Sequence, residues 1–309
     1  MFRKSLCIAL VIPALWSCSQ GSHKVLDTPT SGSIAIAVDE SFQPVIESEV
    51  EVFEALYPEA HINAHYLPEG NAFAELLKDS VRIVIATRDL NEEEKKVFQK
   101  VNITPHLTKI ATDALALVLN PANKDTAFTV GMLKKIFTGA VNSWQQINPH
   151  SRLDQMQIVF DNQNSSTSRY ATEKLAGGKL PANCFAAKGN KEVIDYVAKT
   201  PSAIGIIGVN WISDRDDSTS LSFLSKVKVA SISEYDFSKE ASDFYQPYQA
   251  YIARKNYPLT RSLYIVSREA RDGLGTGFSA FVAGDKGQRI ILKSALMPAS
   301  APVRIVNIH

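Results

Sequence analysis

Three short clusters of hydroxyl and charged side chains draw attention, because each follows a β-rich run and precedes a helical pattern. They are Asp39-Glu40-Ser41-Phe42, Thr87-Arg88-Asp89, and the run from Asn164 to Arg169 that holds Ser165, Ser166 and Thr167. A helix N-terminus offers unpaired backbone N–H groups and a partial positive charge, which suit an oxyanion. Ser41, Thr87, Ser165, Ser166 and Thr167 add hydroxyl donors at such places, and Arg88 and Arg169 add charged forks. Ser165–Thr167 is also what an ordinary N-cap favours. Asp39 and Glu40 weigh against an anion, since like charges repel it, unless one faces solvent or pairs with Arg169. His61 and His65 are four apart in a segment that reads as extended with no third ligand near, so no metal site is expected there. Asp214–Asp217 lacks the glycine and terminal glutamate of a calcium loop and reads as a solvated turn.

The elements that must position these clusters alternate. Ile34–Val38 is a strand candidate, followed by a helix over 44–57 with Ile46, Val50, Phe53 and Tyr57 on one face and Pro44 near its start. Residues 61–67 read as extended, 71–79 as a helix capped by Asn71, and Val81–Ala86 as a continuous apolar strand. Asn91 followed by Glu94 predicts a capping box for a helix over 92–100. Further strands are expected at 114–119, 156–161, 203–208, 227–231, 248–252, 263–266 and 303–308. Helices are expected at 130–137, 166–175, 190–199 and 276–296, the last with a break at Gly284. Alternation of this kind predicts an α/β protein with parallel or mixed sheets covered on both faces.

The chain starts as an exported one would. Arg3 and Lys4 precede a short apolar run from Cys7 to Trp16, too short to span a bilayer as a helix. Leu15-Trp16-Ser17-Cys18 resembles a bacterial lipobox, with Cys18 as the lipidated residue and residues 1–17 as the lipoprotein signal peptide. Trp16 is bulkier than that motif usually carries. Residues 18–32 are polar, carry Gly21, Pro29 and Gly32, and read as a flexible tether. Removing residues 1–17 leaves 292 of 309 residues, enough for two cores, and turns the formal charge from +1 to −1, because the segment holds two basic and no acidic residues. A near-neutral chain gives no electrostatic case for nucleic acid. Cys184 is then the one cysteine left, a buried thiol rather than half of a disulfide. No nucleophile elbow and no phosphate-cradling glycine loop ending in lysine occur, so nothing in the motifs points to an enzyme, and no cofactor is implied.

Six segments together resemble the phosphate-binding component of bacterial ABC importers: Ala111–Pro121, Leu133–Gly139 with Trp144 nearby, Asn164–Arg169, Ala203–Gly208, Tyr257–Tyr264 and Gly284–Gln288. The resemblance implies a two-lobed type 2 periplasmic-binding-protein fold with a mixed sheet in each lobe and two hinge crossings. Lobe I would be 33–112 plus 249–309, and lobe II 113–248. The three clusters would converge in the interlobe cleft, outside the carboxyl ends of strands, making Ser41, Phe42, Thr87, Arg88, Asp161, Ser165, Ser166, Thr167 and Arg169 the expected ligand contacts. The chain departs from the family at three places. Ser166 stands where the phosphate loop has glycine, and Asp161 stands where many members have arginine. Arg88 stands where many have an acid, although some branches carry arginine there. A charge swap follows, with Arg88 as the donor fork and Asp161 accepting a phosphate proton. The implied partners are inorganic phosphate, an ABC permease and a membrane reached through the lipid; a monomer is expected, at the periplasm or cell surface. Another small solute, a sensor or assembly lipoprotein on the same fold, and an exported enzyme are the alternative readings.

Overall fold

The computed structural model describes residues 27–212, 218–235 and 243–300. The signal segment, Cys18, the tether up to residue 26, the Asp214–Asp217 turn and the strand expected at 303–308 lie outside the described residues. In chain order the first half comprises β1 (Gly32–Asp39), α1 (Gln43–Leu56), β2 (Ala60–Leu67), α2 (Glu69–Leu77), β3 (Ile83–Ala86) and α3 (Glu92–Lys100). A long strand, β4 (His106–Leu119), leads into β5 (Ala127–Thr129), α4 (Val130–Phe137), β6 (Gln157–Phe160) and α5 (Ser166–Tyr170), which runs on as a π-type turn to Leu175. Next come β7 (Cys184–Ala186), α6 (Asn190–Lys199), β8 (Ala203–Gly208), α7 (Ser218–Lys226), β9 (Lys228–Val229) and β10 (Ser231–Ser233). The chain then returns through α8 (Gln249–Ala253), β11 (Thr260–Ser267), α9 (Leu274–Ala283), α10 (Asp285–Lys293) and β12 (Met297–Pro298).

One sheet path runs β2-β1-β3-β11-β4-β8-β6-β7, with β12 and β9 also on β4; β5 and β10 pair separately. β4 is the shared strand. Its residues up to Ala114 pair antiparallel with β11, and Leu115–Leu119 pair antiparallel with β8. The β1-β2 and β1-β3 pairs on one side, and β6-β7 and β6-β8 on the other, are parallel. Two mixed sheets therefore meet on one strand. The inner strands β3 and β8 are buried at every residue, which explains why Ile83–Ala86 and Ala203–Gly208 are apolar without alternation. A Cβ at Gly205 would come within 2.7 Å of Val193 and Val197, so glycine there lets α6 lie close on β8.

Several expectations change in the folded chain. The fold begins before Ser33, because Asp27 accepts the Leu274 N–H at 3.0 Å and Thr28 bridges Ser31. α2 starts at Glu69 with Pro68 as its N-cap, so Asn71 is not the cap and Glu69 becomes the first helical residue. The strand expected at 248–252 is the helix α8, in which only Ile252 is buried; a five-residue window with one inward apolar residue cannot separate a period of 2 from one of 3.6. Residues 227–231 fall into two strands with different partners, β9 on β4 and β10 on β5. Cys184 is half-buried rather than buried, and its thiol is pushed up to about 12 by desolvation. The Asn91–Glu94 capping box is present, and Gly284 separates α9 from α10. Among the described residues no helix is long and apolar enough to cross a membrane.

Candidate functional site

The carboxyl ends of β1 and β6, the middle of β4 and the start of β11 meet at one buried guanidinium. Arg261, on β11, lies opposite Asp113 in the antiparallel register and donates from Nε to Asp113 Oδ2 at 2.8 Å. Its Nη1 donates to Ser166 Oγ at 2.8 Å, reaching from the shared strands into the second half. The guanidinium carbon lies 5.1 Å from the centroid of the Phe42 ring. A side chain at Gly208 would crowd this place, since a Cβ there would be 2.8 Å from Asn210 Oδ1 and 3.6 Å from Arg261 Nη2. The chain thus gathers residues more than 200 positions apart around one positive charge.

Around that charge the polar atoms are not all used. Arg261 Nη2 and Thr167 Oγ1 have no hydrogen-bond partner, and neither do Asp39 Oδ2, Asp113 Oδ1, Asp161 Oδ1 and Asn210 Oδ1, although all six are buried. Ser41 ties the two halves together: its hydroxyl donates to Asp161 Oδ2 at 3.3 Å, and its carbonyl accepts from Asn210 Nδ2 and Trp211 Nε1, each at 2.9 Å. Burial pushes the Asp39 carboxyl up to about 7, with the Glu69 charge adding to the rise and Arg261 opposing it. Burial likewise raises Asp161 and Asp113, again against Arg261. Buried polar groups are normally paired. Six unpaired ones at one junction form a set of donors and acceptors that a small polar solute could complete.

A second corner adjoins this hub. Glu69 Oε1 accepts from the Thr87 N–H and the Thr87 hydroxyl, both at 2.8 Å, and Oε2 accepts from Arg169 Nε at 2.6 Å. Arg169 Nη2 also donates to the Thr87 hydroxyl at 2.8 Å. Burial alone would raise the Glu69 carboxyl, but Arg169 and Thr87 hold it below its ordinary value. Nearby, Gly70 N–H donates to the Asn164 carbonyl across the halves at 3.1 Å. On the far side Glu40 accepts from the Asn190 backbone N–H at 3.3 Å and from its amide at 2.7 Å, and burial pushes Glu40 up to about 7.

The expected site residues are therefore distributed over two corners. Ser41, Phe42, Asp161, Ser166 and Thr167 gather at the Arg261 hub. Ser165 faces the helix it caps, accepting from the Ser168 N–H at 3.1 Å. Thr87 and Arg169 face Glu69. Arg88 is not brought to the hub: it makes two bonds to Glu94 at 2.7 and 2.8 Å and lies 3.7 Å over the Phe73 ring. Asp161 has Arg261 as its cationic neighbour, so the structure does not join Arg88 and Asp161 as a swapped pair. Neither condition expected for the acidic first cluster holds, since Arg169 pairs with Glu69 and Asp39 is buried. Asp113, Glu69, Asn210 and Arg261 were not singled out from the sequence. Asp113 and Arg261 do lie in two of the six family-like segments, but nothing local says that two long strands set them face to face. Trp144 packs edge-on to Phe128 in the second-half core, and Trp211 serves the Ser41 carbonyl. His65 bonds Glu75 at 2.8 Å.

A family model of the PBP superfamily domain matches residues 25–286. The chain belongs to the PBP superfamily. This member is 26% identical over 253 residues to the phosphate-binding protein PstS of Staphylococcus saprophyticus, covering 79% of this chain and 74% of that one. A putative phosphate ABC transporter substrate-binding protein with bound phosphate from Clostridium perfringens superposes with a TM-score of 0.71 at 22% identity, covering 87% of this chain and all of the other. An ABC-type phosphate transport receptor from Vibrio cholerae superposes with a TM-score of 0.64 at 21% identity, covering 86% and 100%. The fold of this PBP-superfamily chain is the type 2 periplasmic-binding fold, with β4 as the strand shared by its two sheets.

Proposed function

We propose that the protein binds inorganic phosphate between its two halves and hands it to the permease of an ABC importer, working as a binding protein and not as an enzyme. The observation that carries this reading is the mixed set of unpaired buried atoms around Arg261, with donors at Arg261 Nη2 and Thr167 and acceptors at Asp39, Asp161 and Asn210. A ligand that completes such a set must both accept and donate. Phosphate does so at neutral pH, because it keeps at least one hydrogen. The names borne by the Staphylococcus and Clostridium relatives favour the same ligand. We further place lobe I at 33–112 plus 249–309 and lobe II at 113–248, closing as jaws close about a hinge where β4 crosses near 112 and the chain returns near 249. The protein is exported, tethered through lipid on Cys18, and acts as a monomer.

The excess of carboxylates favours a second reading. Asp39, Asp113 and Asp161 surround a single buried guanidinium, which suits a small neutral or cationic solute better than a fully ionised anion. A thermal-shift screen against phosphate, sulfate, small carboxylates and small amines separates the two. Phosphate at 100 times its dissociation constant should stabilise the protein by about 2.7 kcal/mol. Stabilisation by an amine and not by phosphate would establish the second reading in its place. Incorporation of labelled fatty acid by the parent, absent in Cys18→Ser, tests the tether.

A further inference from the structure

The corner formed by Thr87 and Arg169 holds a carboxylate as it would hold a ligand. Glu69 is 2% exposed and receives four hydrogen bonds: the Thr87 N–H, the Thr87 hydroxyl, Arg169 Nε, and Arg169 Nη2 at 3.4 Å. Arg88 Nε adds a second positive neighbour at 3.8 Å. This is a complete oxyanion seat, with a backbone amide, a hydroxyl and a forked guanidinium converging on two oxygens. Two of its parts, Thr87 and Arg169, are residues expected to touch the anion. The seat and the Arg261 hub share α5, whose Ser166 bonds Arg261 and whose Arg169 bonds Glu69. Thr87 and Glu69 come from the first half and Arg169 from the second, so the guanidinium reaches this carboxylate only when the halves are together. The hub lacks partners, whereas this corner lacks none. An anion entering the cleft meets one donor set that is free and one that the chain already fills.

We propose that Glu69 is an internal competitor for the anion: its carboxylate occupies the Thr87–Arg169 donor set, holds the halves together without a ligand, and so sets how tightly the cleft binds. A bound oxyanion takes over the Thr87 amide and the Arg169 fork as Glu69 turns away. Opposite Arg169 the bound anion then stands where the Glu69 carboxylate stood. The affinity part of this proposal rests on the anion reading above; the existence of the seat does not.

The test is Glu69→Ala, titrated with phosphate by calorimetry and with acetate and formate by thermal shift. The variant should bind phosphate roughly tenfold more tightly than the parent or better, since a charge-assisted bond no longer has to be displaced. Acetate or formate should stabilise the variant and not the parent, because the free carboxylate restores the missing one. If acetate rescues the variant while neither protein binds phosphate, the seat stands and the phosphate reading fails. If the variant binds phosphate no more tightly and ignores acetate and formate, Glu69 is a structural brace and the proposal is overturned. Should Glu69→Ala not fold, the parent decides. Its Thr87 amide resonance should move on addition of phosphate as Glu69 leaves it, and an unmoved resonance in phosphate-saturated protein overturns the proposal equally.

Discussion

The two arginine corners of the cleft use the same chemistry and end differently. At the Glu69 corner every donor of Thr87 and every inward nitrogen of Arg169 finds a partner within the chain. At the Arg261 corner the guanidinium is more deeply buried, yet one nitrogen and five neighbouring polar atoms stay unpaired. A saturated ion pair can serve as a brace or plug, whereas an unsaturated one is costly unless something else completes it. Charge alone does not distinguish the two corners, and both carboxylates are buried, although Arg261 is 4% exposed and Arg169 28%. The clearest difference is the count of unused hydrogen-bonding atoms, high at the hub and zero at the Glu69 corner, which the chain fills itself.

The most severe way to break the comparison is Arg261→Met. It leaves Asp113 fully buried without its cation, and removing one partner of such a pair costs about 3–5 kcal/mol. Arg169→Met should cost clearly less, because Glu69 keeps both Thr87 bonds and the Arg169 side chain is 28% exposed. Urea denaturation of both variants measures the gap; equal losses would erase the distinction between the corners.

Glu49 sharpens the comparison from outside the cleft. It is buried in α1 with neither carboxylate oxygen bonded, and burial pushes it up to about 9. Here a proton, not a solute, relieves the unpaired group. Glu49, Asp39 and Glu40 all bind their protons more tightly in the folded chain than in the unfolded one. Stability should therefore fall as pH rises from their ordinary range through about 7 for Asp39 and Glu40, and on to about 9 for Glu49. Each group contributes a slope of up to about 1.4 kcal/mol per pH unit while it titrates. Denaturation at pH 5, 7 and 9 should show Glu49→Gln flattening the upper step. An unchanged decline above neutral pH would assign that step to other groups.

Smaller effects probe the hub itself. Asp161→Asn should weaken phosphate binding by about tenfold and narrow the preference over sulfate, because the amide removes an acceptor for the phosphate hydrogen together with a repulsive charge. Paired titrations of parent and variant check both, and an identical preference would remove Asp161 from that role. The smallest effect is expected at Arg88. Its partners are Glu94, the Phe73 ring and, at 3.8 Å, Glu69, and none of them belongs to the hub, so Arg88→Ala should change affinity less than about fivefold. A larger loss would mean that Arg88 leaves Glu94 for the ligand.

What the chain shows locally it shows well. The apolar runs at Ile83–Ala86 and Ala203–Gly208 can only be covered strands, the Asn91–Glu94 box starts its helix, and the hydroxyl clusters end their strands where expected. The same local reading fails at Tyr248–Ile252, where one inward side chain carries no period, and at Asn71, where Pro68 starts the helix two residues early. That shift of α2 places Glu69 inward and fills the corner expected for a ligand.

By itself the sequence determined the α/β alternation and the set of hydroxyl-bearing turns, because these depend on side-chain period and on residues adjacent in the chain. Only the tertiary structure decided which charge meets which. Arg261 finds Asp113 across 148 positions, Arg169 finds Glu69 across 100, and Arg88 turns to Glu94 six residues away. Long flexible side chains can reach many partners, and their choice depends on strand register, burial and competing carboxylates, none of which has a fixed spacing along the chain.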